Sequence, residues 1–145
     1  MNTIFDKIFE NIDLKKIAII DNNLQYTYHN LFNDCNLLIE YFKKNFGKNR
    51  KLCIALPNCY ISVLIFLISS KLNYKIFPIN SNVSNINIRT YTKKYKFDIF
   101  IGDNSSFRNI IKKNYSRTFF FTKNKNRLIL KKNKIFQYTT KNVED

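Results

Sequence analysis

Residues 51–80 read KLCIALPNCYISVLIFLISSKLNYKIFPIN, and the fold turns on how this stretch divides. From Leu52 to Leu56 the chain is continuously apolar and is stopped by Pro57-Asn58, the pattern of a strand covered on both faces, central in its sheet and parallel. Asn58 is a good helix cap, and the segment from Tyr60 to Leu72 is apolar on nearly every side, as in a buried helix packed against that sheet. Its most apolar part, Tyr60 to Ile68, is about half of the roughly 20 residues a membrane helix needs. Lys75 to Ile79 supplies a second short strand with Pro78 at its end.

The alternation continues on both sides. Downstream, a polar turn at Asn80–Asn85 precedes a basic helix near Ile86–Lys96, and Asp98 to Ile101 returns to strand. Strand, helix, strand, helix, strand predicts an α/β fold with a mostly parallel sheet flanked by helices. Upstream, Lys16–Ile20 and Leu24–Tyr28 are β-prone runs joined by Asp21-Asn22-Asn23, residues that tolerate the left-handed conformation of a tight hairpin turn. A helix of about 17 residues follows, with Leu31, Cys35, Leu38, Ile39 and Phe42 on one face and Asn30, Asn33, Asp34, Glu40 and Lys44 elsewhere. Thr27 caps its start and Gly47 ends it. Ile4, Phe5, Ile8, Phe9 and Ile12 give residues 3–12 the spacing of a short amphipathic helix that must lie on something. Beyond residue 103 the pattern predicts a helix at Ser105–Tyr115, a strand at Thr118–Phe121, and an exposed basic hairpin formed by Arg127–Leu130 and Lys134–Tyr138. The last residues, Thr139–Asp145, are polar and unpatterned. The α/β core thus has a hairpin at each end.

Of the 145 residues, Lys, Asn, Ile, Phe and Tyr account for 86, and there are only two glycines, Gly47 and Gly102. A glycine-rich phosphate loop needs glycines a few residues apart so that backbone amides can approach the phosphate, so self-contained nucleotide enzymes of that kind are excluded. The net charge of +15 is uneven: residues 1–70 carry +2 and residues 71–145 carry +13. Such charge fits nucleic acid or an anionic membrane as partner. All five abundant residue types have A/T-rich codons, however, and lysine outnumbers arginine 20 to 5, whereas nucleic-acid readers lean on arginine's planar fork. Compositional drift is the better account, and nucleic acid is disfavoured as a partner. Cys35, Cys53 and Cys59 have no Cys-x-x-Cys spacing and no acid or second histidine to complete a metal site, so they read as small buried side chains in a reducing compartment. No metal is expected. The N-terminal residues have acids mixed into the apolar positions, unlike a secretory signal, which predicts a cytoplasmic protein.

Tyr26-Thr-Tyr-His-Asn-Leu31 opens the long helix after the first hairpin and resembles the "Thr-Tyr-x-x-Leu" motif of AMP-forming carboxylate ligases. That is the adenylate-forming superfamily of acyl-CoA synthetases, amino-acid adenylation domains and luciferases. Leu52-Cys-Ile-Ala-Leu-Pro-Asn58, the apolar helix, and Ser70-Lys-Leu-Asn-Tyr-Lys-Ile-Phe-Pro-Ile-Asn80 are similar to the family's "Val-Ala-Ile-Leu-Leu-Pro-Asn … Leu-Lys-Ala-Gly-Ala-x-x-Val-Pro-Leu-Asp/Asn". Lys71, Pro78 and Asn80 match that pattern, and Ile99-Phe-Ile-Gly-Asp103 resembles its "Val-Leu-Ile-Thr-Asp" strand. Asn73 stands where the family has glycine after the helix, and Asn49-Arg50 where it has Gly-Asp; asparagine is the next most tolerant residue at positive φ, so the backbone survives both changes. The resemblance covers residues 13–103 and implies the N-terminal part of the family's large domain. On this reading residues 1–145 are a single partial domain, and 104–145 are a basic tail with helix, strand and hairpin.

Complete family members use ATP, Mg²⁺ and usually CoA, through a Ser/Thr/Gly-rich loop ending in Pro-Lys, a later Glu on Mg²⁺, an Asp on the ribose and a Lys from a C-terminal domain. Val143-Glu-Asp145 resembles the residues that often precede that loop, and none of these motifs follows. The resemblance therefore implies a segment cut before its phosphate loop by a frameshift, early stop or gene split. It would be inactive alone, with no catalytic, cofactor-binding or metal residue in this chain, and would work beside a separately encoded C-terminal catalytic half or self-associate through uncovered sheet edges. The alternative is an independent basic module for nucleic acid or anionic membrane.

Single residues add little to either reading. His29, the only histidine, has no orienting acid closer than Asp34 and reads as solvent-facing. Lys71 reads as structural. Phe119-Phe120-Phe121 with Lys112, Lys113, Arg117 and Lys123 mixes aromatics and cations as single-strand binders do, but a buried strand with lysines on its rims is the simpler reading. Asp98 and Asp103 bracket a strand and lack a third carboxylate for a metal.

Overall fold

A computed structural model describes residues 3–56, 58–80, 85–102, 119–123, 127–130 and 134–137. The helix expected at Ser105–Tyr115, the side chains of the basic C-terminal region, Asp103 and the tail Thr139–Asp145 lie outside what is described. The described chain groups into two compact units, residues 3–49 with 59–74, and residues 50–58 with 75–137.

In the first unit, α1 (Ile4–Phe9) starts at a capping box, Thr3 Oγ1 accepting from the Asp6 amide at 3.2 Å and Asp6 Oδ2 accepting from the Thr3 amide at 3.0 Å. It is shorter than residues 3–12 because the backbone turns extended at Glu10, ψ 125°, and left-handed at Asn11, φ 53°. Phe5 and Phe9 pack on Phe32, and the Phe5 amide donates to Ser70 Oγ at 3.2 Å. The hairpin β1 (Ile17–Asp21) and β2 (Leu24–Thr27) is antiparallel, with Asn22 at φ 56° in its turn. The long helix α2 (Tyr28–Phe46) runs between Thr27, which shares a capping box with Asn30, and Gly47 at φ 75°. Leu31, Cys35, Leu38 and Phe42 are buried as the periodicity requires. Asp34 is buried with them, against its expected place on the polar side; it stands three residues after Leu31 and four before Leu38, which is the buried stripe.

Helix α3 (Tyr60–Leu72) is buried at Tyr60, Ile61, Leu64, Ile65, Leu67, Ile68 and Leu72. Its N-cap is Cys59 and not Asn58: Ser62 Oγ, at the third helical position, accepts the Cys59 amide at 3.1 Å, the reach back to the cap amide that a capping box makes. Asp21 Oδ2 accepts the Tyr60 amide at 3.0 Å, which adds a carboxylate to the positive end of the helix. At the other end Asn73 closes α3 in the left-handed region at φ 57° and ψ 42°. Tyr74 then donates its hydroxyl to the Gly47 carbonyl at 2.6 Å.

The second unit holds a six-stranded sheet of β3 (Lys51–Ala55), β4 (Lys75–Pro78), β5 (Ile99–Gly102), β6 (Phe119–Lys123), β7 (Arg127–Leu130) and β8 (Lys134–Gln137), and, among its described residues, the helix α4 (Asn85–Tyr95). The strand order is β4-β3-β5-β6-β7-β8. β3 pairs in parallel with both β4 and β5, and β5 in parallel with β6. β3 is buried from Leu52 to Ala55 and β5 throughout, as their interior positions demand, while β4 is half-exposed and ends at Pro78, where a missing amide does least harm. Cys53 is the register partner of both Phe77 and Phe100. That row, with Ala55, Phe97 and Ile79, packs against Tyr91 and Tyr95 of α4. The expected C-terminal hairpin is present as β7 and β8, but it extends the sheet: β7 pairs antiparallel with β6, so the β6 edge that would otherwise display unpaired amides and carbonyls is satisfied.

Candidate functional site

In an open parallel sheet a ligand crevice forms at the carboxyl ends of the strands, where the connections of two neighbouring strands leave in opposite directions. β3 and β5 meet that condition. The chain leaves β3 for β4 on one side, and leaves β5 for β6 on the other. Ala55 and Gly102, both buried, are register partners at the two carboxyl ends. Leu56 and Asn58 follow β3; Asn58 is exposed. Ile79 closes the neighbouring β4 end by donating its amide to the Ile54 carbonyl at 2.9 Å.

Among the described residues the chemistry at that edge is that of backbone groups and the Asn58 amide. Neither glycine is part of a phosphate loop: Gly47 ends α2 and Gly102 lies within β5. Among the described residues no three His, Cys, Asp or Glu side chains gather where they could hold a metal ion. The described residues therefore do not fit ATP phosphates or Mg²⁺.

The buried polar centre lies in the first unit. Tyr60 donates its hydroxyl to Asp34 Oδ2 at 2.6 Å, and its ring is stacked on Tyr26 with centroids 3.6 Å apart and planes 5° from parallel. Burial, then the hydrogen bond to Asp34, pushes the Tyr60 phenol well above its ordinary range. Burial, followed by the charges of Asp21, Asp34 and Cys59, pushes Tyr26 up to about 12. Both rings stay protonated at neutral pH, which makes them donors and packing surfaces and not bases. Burial also pushes the thiols of Cys35 and Cys53 up to about 12 and raises that of Cys59, so the free cysteines are inert core side chains. The sequence reading missed Asp34 as a buried group, although its place in the Leu31–Leu38 stripe was a usable signal.

The other singled-out residues have structural partners. His29 is exposed, with Asn33 Nδ2 donating to its Nε2 at 3.1 Å, and is not engaged by Asp34. Lys71 pairs with Asp6 Oδ1 at 2.6 Å and stands 5.7 Å from the Phe5 ring centre, tying α3 to α1. Asp98 Oδ2 accepts the Lys51 amide at 2.9 Å. Phe119, Phe120 and Phe121 pair through their backbones with Phe100, Ile101 and Gly102. No helix among the described residues is long and apolar enough to cross a membrane.

No protein-family model and no curated protein matches the sequence. Solved structures match the fold. A benzoate CoA ligase from Burkholderia xenovorans LB400 is similar at a TM-score of 0.75 and 10% identity, over 85% of this chain and 26% of that one. ATP-bound MatB from Rhodopseudomonas palustris is similar at 0.73 and 14% identity, over 82% and 25%. VinN is similar at 0.66 and 15% identity, over 81% and 30%. The chain thus spans about a quarter to a third of the length of these structures. At such identities the likeness is one of fold: this is an α/β fold with parallel strands that matches the N-terminal part of adenylate-forming enzymes.

Proposed function

We propose that these 145 residues are the N-terminal segment of an AMP-forming carboxylate ligase, in which ATP converts a carboxylate to an acyl adenylate and then to an acyl-CoA, and that they serve it as scaffold. The observation that carries the reading is the parallel order β4-β3-β5-β6, shared over most of the chain with a benzoate CoA ligase. The family motif supports it residue by residue: Lys71 falls at the end of α3, Pro78 at the end of β4, and Asn49 and Asn73 at left-handed turns.

In this reading the groups that handle ATP, Mg²⁺ and CoA come from residues outside these 145, in continuing sequence or in a separately encoded catalytic half. The segment alone does not form an acyl adenylate, because each missing positioned donor costs about 10²–10³ in rate. ATP–pyrophosphate exchange with a panel of carboxylates, benzoate and L-aspartate among them, tests this. No exchange is expected from the chain alone, and exchange is expected once the missing half is added. Turnover by the chain alone overturns the scaffold reading. The DNA beyond codon 145, or a neighbouring gene, is expected to encode a Ser/Thr-Gly-x-x-Gly-x-Pro-Lys stretch; its absence from every frame overturns the ligase reading.

A further inference from the structure

β3, β4 and β5 begin at one edge of their sheet, and the residues there are strongly basic. Lys51 and Lys75 are register partners on adjacent parallel strands, about 4.8 Å apart. The Lys75 amide donates to the Arg50 carbonyl at 2.8 Å. Helix α4 ends at the same edge: Tyr95 is followed by Lys96, Phe97 and Asp98, and the Asp98 amide donates to the Lys51 carbonyl at 2.9 Å. Lys93, Lys94 and Lys96 therefore join Arg50, Lys51 and Lys75 at one end of the unit, and all six are exposed. The only acid in residues 50–58 and 75–102 is Asp98, whose carboxylate takes the Lys51 amide.

Lys96 is a second, independent observation. Its φ is 50°, and among the described residues the other non-glycine positions in the left-handed region are Asn11, Asn22, Asn49 and Asn73. Asparagine is the better residue there, and its codons differ from those of lysine only at the third position and are no poorer in A and T. Drift toward A/T supplies the two residues equally and does not choose between them; the backbone favours asparagine here, and lysine stands against that preference.

The chemistry of the patch narrows the partner. Five of its six cations are lysines, point charges without the planar fork that reads nucleic acid. Of the aromatic side chains beside them, Phe97 is buried with Cys53, Ala55 and Phe100, and Tyr91 and Tyr95 are half-buried against that cluster, which disfavours their use as a platform for stacking bases. A diffuse array of ammonium groups on an end face matches a diffuse anionic surface, and clusters of four to eight basic residues are of the size that holds acidic lipid headgroups.

We propose that the amino edge of the parallel sheet, formed by Arg50, Lys51, Lys75, Lys93, Lys94 and Lys96, docks on an anionic lipid bilayer by charge alone. The proposal is independent of the ligase reading, since the crevice at the carboxyl ends lies at the opposite end of the strands, roughly 13 Å away.

Co-sedimentation of the 145-residue chain with phosphatidylcholine vesicles, with and without about 30% phosphatidylserine, at about 50 and about 200 mM salt, is the test. Binding is expected only with phosphatidylserine, weaker at the higher salt. The K75E/K93E/K94E/K96E variant is expected to lose at least about tenfold in affinity, and K7E/K15E/K43E/K44E, equal in net charge, less than about threefold. A melt by circular dichroism checks that both are folded, and K75Q/K93Q/K94Q/K96Q replaces the first if glutamates at the end of α4 destabilise it. No binding to the acidic vesicles, equal losses in the two variants, or tighter binding to single-stranded or duplex oligonucleotides at the same salt would overturn the proposal.

Discussion

Asn49 and Asn73 are both left-handed, at φ 62° and 57°, and Asn73 Nδ2 donates to Asn49 Oδ1 at 2.5 Å. The backbone there suits glycine, and asparagine bears it because its short amide can bond locally. Asn73→Gly should therefore leave stability within about 0.5 kcal/mol, and Asn73→Ala should cost about 1–2 kcal/mol, read from the urea midpoint. Equal costs would show that the side-chain bond matters and the backbone conformation does not. Tyr60→Phe removes a donor from buried Asp34 and should cost about 1.5–3 kcal/mol; an unchanged midpoint would mean the carboxyl is satisfied without it. At the surface, the hydrogen bond from Lys71, then that from the Thr3 amide, holds the Asp6 carboxyl at about 2 against an ordinary 3.8. Because the folded value is the lower one, the stabilisation is complete above 3.8 and is lost as pH falls through 2. The Asp6 carboxyl resonance should titrate near 2, and in Lys71→Met should move toward 3.8; an unmoved midpoint would assign the shift to Thr3 alone. At this scale the left-handed asparagines were legible because the conformational preference belongs to the residue. The burial of Asp34 had a local signal in the Leu31–Leu38 stripe, but its partner was not legible, because Tyr60 lies 26 residues away.

The helices begin and end where local chemistry stops them. Thr27 Oγ1 accepts the Asn30 amide at 3.1 Å and the Thr27 amide donates to Asn30 Oδ1 at 2.9 Å, so Thr27→Ala should cost about 1 kcal/mol, measured by thermal or urea unfolding. A loss below about 0.3 kcal/mol would mean that α2 is held by its buried face alone. Thr27, Gly47 and the β-prone runs were readable from sequence to within a residue or two, since caps and periodicities are local signals. The span of α3, Tyr60–Leu72, was readable as it stands, while its cap moved by one residue, from Asn58 to Cys59, where the first amides are satisfied by Ser62 and by Asp21, the latter 39 residues from Tyr60. Likewise Arg127–Leu130 and Lys134–Gln137 read as strands, while their addition to the sheet through β6 is a long-range pairing that no local pattern encodes.

For the whole molecule the decisive feature is that β3 lies between β4 and β5 with both neighbours parallel to it. The run Leu52–Leu56 announced a doubly covered strand, and the family-like order of motifs announced its neighbours. The chemistry of the carboxyl edge was less legible, since its described residues offer Ala55, Gly102 and backbone groups, with no charged constellation among them. The same topology underlies both proposals, the ligase scaffold resting on its parallel order and the lipid-docking face on the basic residues at its amino edge. Inter-strand nuclear Overhauser effects around Cys53 in isotope-labelled protein test it most directly. The account predicts the parallel pattern linking Cys53 to the Phe77 strand on one side and to the Phe100 strand on the other. Strong Hα–Hα contacts of antiparallel pairing between β3 and either neighbour, or no contact between β3 and β5, would contradict it.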